Sequence, residues 1–145
     1  MLYLIGLGLN EKGYSKEAFK AVSTADKIYL ESYTIEFPYD IKDLESQFNK
    51  KIIPADRNFV EGFKILEDAK KKDVVLLVYG SPLAATTHIS LIQEAKKRRT
   101  KVKTIHSASV LDAVAETGLQ LYKFGKIASM PSFSADSYID IIKQN

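Results

Sequence analysis

Asp73-Val74-Val75-Leu76-Leu77-Val78-Tyr79-Gly80 decides the fold class. Six consecutive apolar residues run into a glycine, with no polar residue at alternate positions. Such a strand is buried on both faces, as parallel strands covered by helices are. Leu2-Tyr3-Leu4-Ile5 is a second apolar run, closed by Gly6-Leu7-Gly8-Leu9. Three further runs read as strands: residues 27–31, residues 51–53 stopped by Pro54, and residues 101–105.

Helical periods fill the gaps between these runs. Ser15 reads as an N-cap, followed by the stripe Ala18-Phe19, Val22 and Ala25. Residues 43–48, 58–70, 87–97 and 109–116 read as further helices, the last closed by Gly118. A short strand at 126–129 and a helix at 136–143 complete the expected order. Alternating strands and helices predict a three-layer α/β/α domain around a five-stranded, mainly parallel sheet. The basic run Lys96-Lys97-Arg98-Arg99 ends a predicted helix, where cations meet the helix dipole favourably.

Composition narrows the function classes. At 145 residues, 46 % hydrophobic and 27 % charged, the chain suits one globular domain. It has no cysteine, which excludes disulfide scaffolds, thiol chemistry and Cys-based zinc sites. Its two histidines lie far apart in sequence, against a His-rich metal site. A net charge of +3 is too slight to indicate direct nucleic-acid binding. The apolar runs are too short to span a bilayer, and no basic n-region precedes residues 1–5, so no membrane association or secretory signal is expected.

In such a sheet a ligand lies beyond the carboxyl ends of the strands. Three loops there stand out. Gly6-Leu7-Gly8-Leu9 permits a tight turn and close backbone approach, but it is neither a dinucleotide fingerprint nor a P-loop. In Gly80-Ser81-Pro82-Leu83-Ala84-Ala85-Thr86-Thr87-His88, small residues leave an open floor and Thr86 or Thr87 can cap the next helix. His88 reads either as a surface residue or as a buried, hydrogen-bonded one. In His106-Ser107-Ala108-Ser109-Val110, Ser107 or Ser109 can cap, and no Gly-x-Ser-x-Gly elbow supports a hydrolase. Thr117-Gly118-Leu119-Gln120-Leu121-Tyr122-Lys123-Phe124-Gly125 offers aromatic and apolar side chains to the core or to another subunit.

These blocks, with Tyr29-Leu30-Glu31-Ser32-Tyr33-Thr34 and Pro54-Ala55-Asp56-Arg57, resemble the diphthine synthases. Those enzymes belong to the tetrapyrrole methylase group of S-adenosylmethionine-dependent methyltransferases. The resemblance runs from Met1 into the last predicted helix. It implies the N-terminal α/β methylase domain over residues 1–145, without the family's C-terminal domain. It implies a donor cleft lined here by Leu9, Ser81, Ala84, Ser109 and Val110, with no metal. It also implies methylation of an amine on a modified histidine of translation elongation factor 2, a homodimer and a cytoplasmic location. Ser81 stands where the family usually has Asp, and the second domain's cleft wall is expected to be absent, the larger of the two effects, so the chain alone is expected to bind the donor weakly or not at all. No catalytic base can be named from these residues. The alternative from another class is a non-catalytic α/β binding or scaffold module.

Overall fold

Leu76 and Leu77, adjacent in sequence, are both wholly buried, one on each face of a parallel sheet. This computed structural model describes residues 1–123 together with Gly125 and Ile127. Its strands are β1 (Leu2–Gly6), β2 (Lys27–Glu31), β3 (Ile53–Ala55), β4 (Val74–Val78) and β5 (Val102–Ile105). They lie in the order β3-β2-β4-β1-β5, and every pairing is parallel. The strand expected to be the most buried, β4, is the central one.

One face of the sheet packs against α1 (Lys16–Thr24) and α2 (Ile41–Phe48), with Ile5, Ile28, Leu30, Val75 and Leu77 meeting Ala18, Val22, Leu44 and Phe48. The other packs against α3 (Arg57–Glu61), α4 (Ile65–Ala69) and α5 (His88–Lys97). There Leu4, Val74, Leu76 and Val78 meet Val60, Leu66, Leu91 and Ala95. Burying a Leu or Val side chain is worth about 1.5–3 kcal/mol relative to exposure. The two clusters are therefore the main source of stability. Ser15 caps α1 as expected, its Oγ accepting from the Ala18 amide at 3.1 Å.

Several boundaries differ from the sequence reading. Pro54 does not stop β3; it lies within it. β3 is an edge strand, where a residue without an N–H is tolerated. The helix expected over 58–70 is two short helices, broken where Gly62 caps α3 and Phe63 takes φ 60°. Asp40 starts α2 earlier than expected by accepting from the Lys42 amide at 2.9 Å. The helix expected over 109–116 is α6 (Val110–Ala113) followed by a 3-10 turn, Val114–Thr117, ended by Gly118 at φ 86°. In the basic run, Arg98 pairs with Glu94 at 2.8 Å and Glu67 at 2.9 Å.

The chain divides into two compact units, Met1–Leu111 and Asp112–Asn145. In the second, the 3-10 turn Val114–Thr117 is followed by another, Leu121–Lys123. The expected strand at 126–129, apart from Ile127, the helix at 136–143 and Phe124 lie outside the described residues. Among the described residues no helix is long and apolar enough to cross a membrane.

Candidate functional site

β1 and β4 are neighbours, yet the chain leaves them for opposite faces, towards α1 and towards α5. Such a divergence opens a crevice at the carboxyl ends of the strands. Gly8 and Gly80 tie the two departing loops together. The Gly8 amide donates to the Gly80 carbonyl at 3.1 Å, and the Gly80 amide to the Gly8 carbonyl at 2.9 Å. Both glycines sit at φ 74°, a conformation that L side chains resist. A Cβ on Gly6 would come within 2.6 Å of the Gly80 carbonyl oxygen and 3.0 Å of both Pro82 and Ser107. The loops after β1, β4 and β5 therefore converge at one end of the sheet, as expected.

At that convergence is a cavity of about 300 Å³. Leu9, Ser81, Ala84, Ser109 and Val110 all line it. Val78, Tyr79 and Gly80 contribute from the end of β4. Its walls are mostly apolar, in keeping with a small-molecule site. A wider depression of about 630 Å³ beside Lys42, Glu45 and Lys50 lies elsewhere, on α2 and the residues after it.

The loop 81–88 is held by one carbonyl. Pro82 O accepts from the Thr86 hydroxyl at 2.7 Å and from His88 Nδ1 at 3.0 Å. His88 is thus the buried, hydrogen-bonded residue rather than the surface one, and its Nε2 has no hydrogen-bond partner among the described residues. Of the two threonines, Thr86 makes the expected capping contact, its Oγ1 accepting from the His88 amide at a long 3.5 Å while its hydroxyl donates to Pro82 O. Thr87 stands at the N-cap position but makes no cap and gives its hydroxyl to Glu61 at 2.8 Å. Ser109 does cap, accepting from the Leu111 amide at 3.2 Å, whereas Ser107 donates to the Gly13 carbonyl at 2.9 Å. His106 is exposed.

Sequence reasoning missed part of the wall. Glu31, Thr34 and Ile35 enter the cavity from the end of β2. Glu31 is only 3 % exposed, and its Oε1 accepts from the Thr34 amide at 3.1 Å and from the Thr34 hydroxyl. A carboxylate directly after the apolar run Ile28-Tyr29-Leu30 was the available signal. Tyr79 fixes the opposite wall by donating its hydroxyl to the Leu9 carbonyl at 2.9 Å. Behind it, Phe37, Tyr39 and Tyr79 form an aromatic group with centroids 4.5–6.4 Å apart. Burial, then the neighbouring Tyr79, Glu11 and Tyr14, push the Tyr39 hydroxyl above its ordinary pKa, so it stays a neutral phenol. Among the described residues no group of acidic or His side chains is arranged to hold a metal ion.

The sequence profile of the tetrapyrrole (corrin/porphyrin) methylases matches residues 1–133. A diphthine methyl ester synthase of Saccharomyces cerevisiae is 46 % identical over 153 residues, covering 100 % of this chain and 51 % of that protein. One from Schizosaccharomyces pombe is 41 % identical, covering 100 % and 54 %. The chain thus spans about half the length of these relatives. A crystal structure of diphthine synthase superposes with a TM-score of 0.89 at 37 % identity, over 99 % of this chain and 59 % of that one. Sequence profile and fold agree, and the chain belongs to the tetrapyrrole methylase family.

Proposed function

We propose that the chain forms the donor-binding wall of an S-adenosylmethionine-dependent methyltransferase of the diphthine synthase type. The acceptor would be the modified histidine of translation elongation factor 2. One observation carries this reading. Leu9, Ser81, Ala84, Ser109 and Val110, the residues that the resemblance assigns to the donor cleft, come from three separate loops and line one cavity.

The cavity suits such a ligand. Apolar side chains of Leu9, Val78 and Val110 can cover an adenosyl group, and Gly80 brings backbone close without a Cβ in the way. When bound, S-adenosylmethionine supplies a methyl carbon activated by its sulfonium. The residues here would bind and orient the donor and exclude water, which is most of what an in-line methyl transfer asks of a protein. The relatives' name specifies a methyl ester, so a carboxylate oxygen joins the amine as an acceptor in this proposal. At about 300 Å³ the cavity is at the small end of ligand sites, so donor binding by this stretch is weak.

Titrating the chain with millimolar S-adenosylmethionine while following backbone amide resonances tests this. The expected result is movement concentrated at Leu9, Ala84, Ser109 and Val110. Resonances unmoved at these positions would sink the donor reading and favour a binding or scaffold module. A homodimer and a cytoplasmic location are part of the same proposal. Leu121 and Tyr122 are exposed apolar candidates for the dimer contact, and light scattering on Leu121→Ser would test them.

A further inference from the structure

Glu31 is the one acidic side chain lining the cavity among the described residues. It is 3 % exposed, and burying a carboxylate is costly unless a cation or a full set of donors compensates. Among the described residues its hydrogen bonds are both on Oε1, from the amide and the hydroxyl of Thr34, and Oε2 accepts none. Both partners are donors, so Oε1 is held as an acceptor. Among the described residues no ion pair reaches this carboxylate. The ammonium and guanidinium groups that do pair bridge Asp73, Asp68, Glu61, Glu67, Glu94 and Glu17 instead. Tyr33 is near enough for the negative charge of Glu31 to help raise its pKa, after burial, to about 12. A carboxyl group is therefore fixed in a mostly apolar cavity with one oxygen uncommitted among the described residues.

We propose that Glu31 is a ligand-binding residue that takes the positive charge of the donor, an ammonium or sulfonium centre, on Oε2. This rests on the cavity being the donor site. A fixed carboxylate in a low-dielectric wall selects a cation over a neutral ligand of the same shape. The Thr34 contacts orient it before the ligand arrives, which lowers the ordering cost of binding.

Glu31→Gln keeps an Oε1 that can accept from Thr34 and replaces the acceptor Oε2 with a neutral NH2 donor. S-adenosylmethionine and S-adenosylhomocysteine are titrated separately into the wild-type chain, Glu31→Gln and Glu36→Gln, the last an exposed control. The expected result is an affinity for S-adenosylmethionine lower by about tenfold or more in Glu31→Gln and unchanged in Glu36→Gln. A smaller loss for S-adenosylhomocysteine, which lacks the sulfonium, assigns Oε2 to the sulfonium; an equal loss assigns it to the ammonium. Thermal unfolding without ligand shows whether Glu31→Gln is folded, and Glu31→Asp, which keeps the charge, is expected to recover part of the affinity. Equal affinity of wild type and Glu31→Gln for both ligands overturns the role of Glu31 alone. Failure of the wild-type chain to bind either ligand overturns the donor reading and this inference with it.

Discussion

Gly8 and Gly80 exchange a pair of backbone hydrogen bonds, 3.1 and 2.9 Å long, although 71 residues separate them in the chain. This antiparallel bridge joins the ends of two strands that are themselves parallel. It holds the mouth of the cavity at the width that the sheet sets.

Substituting the glycines around that bridge is expected to give a graded series. Gly80→Ala meets only ordinary van der Waals contacts, the nearest at 3.8 Å, so it carries only the left-handed backbone cost of about 1–2 kcal/mol. Gly8→Ala carries the same cost and also puts a Cβ 2.7 Å from the Gly13 carbonyl oxygen. Gly6→Ala meets the Gly80 oxygen at 2.6 Å. Denaturant midpoints should rank Gly80→Ala as the mildest, and a mildest rank for Gly8→Ala would contradict the bridge geometry.

His88 is expected to matter through its shape and its Nδ1. His88→Ala leaves a cavity and removes a donor from Pro82 O, a loss of about 2–4 kcal/mol. His88→Phe fills the space and removes the unpartnered Nε2, so its loss should be smaller. Equilibrium unfolding in urea checks the order of the two variants.

The acid limb of stability should carry a contribution from Asp68. The Tyr29 hydroxyl at 2.6 Å, and next the Lys27 ammonium at 2.9 Å, hold its carboxyl below the ordinary range. A folded-state pKa lower than the unfolded one stabilises at pH above the unfolded value, about 4, and the gain is lost as pH falls through the folded value. Asp68→Asn is expected to cost about 1.5 kcal/mol at pH 7, the low end for a charged hydrogen bond, because the side chain is 30 % exposed. The difference between the two proteins should shrink below pH 4 in denaturant titrations.

Tyr33 offers a substitution in the opposite direction. Its hydroxyl is buried without a hydrogen-bond partner among the described residues, while the Arg57 guanidinium sits 4.9 Å from its ring centroid. Tyr33→Phe keeps the ring and the cation–π contact, so stability should hold or rise by up to about 1 kcal/mol. Ultraviolet titration of the wild type should show one tyrosine ionising near pH 12, and that step should vanish in the variant.

What sequence could show here depended on the range of the interactions involved. β4 was legible because burial on both faces leaves an uninterrupted apolar run, and Ser15 because capping is local. Pro54 misled because whether a proline interrupts a strand depends on edge position, which only the finished sheet decides. The break at Gly62 and Phe63 hides inside a good helical stripe: Val60, Ile65, Leu66 and Ala69 keep the period across it. Thr86 and Thr87 looked equally like caps because capping is their usual local role, but Glu61 takes the Thr87 hydroxyl, and only Thr86 accepts from the α5 amide of His88. Glu31 escaped notice because its burial comes from loops far from it in sequence.

The strand order also constrains how the chain acquires its structure as it is synthesised. Among the described residues β1 pairs only with β4 and β5, and β2 reaches β1 only through β4. Until residues 74–78 have emerged from the ribosome, the first strand has no sheet partner, and the only pairing open is β2 with β3. About half the chain must therefore wait with its apolar runs unpaired, the condition in which a nascent polypeptide is most open to aggregation and to chaperone capture.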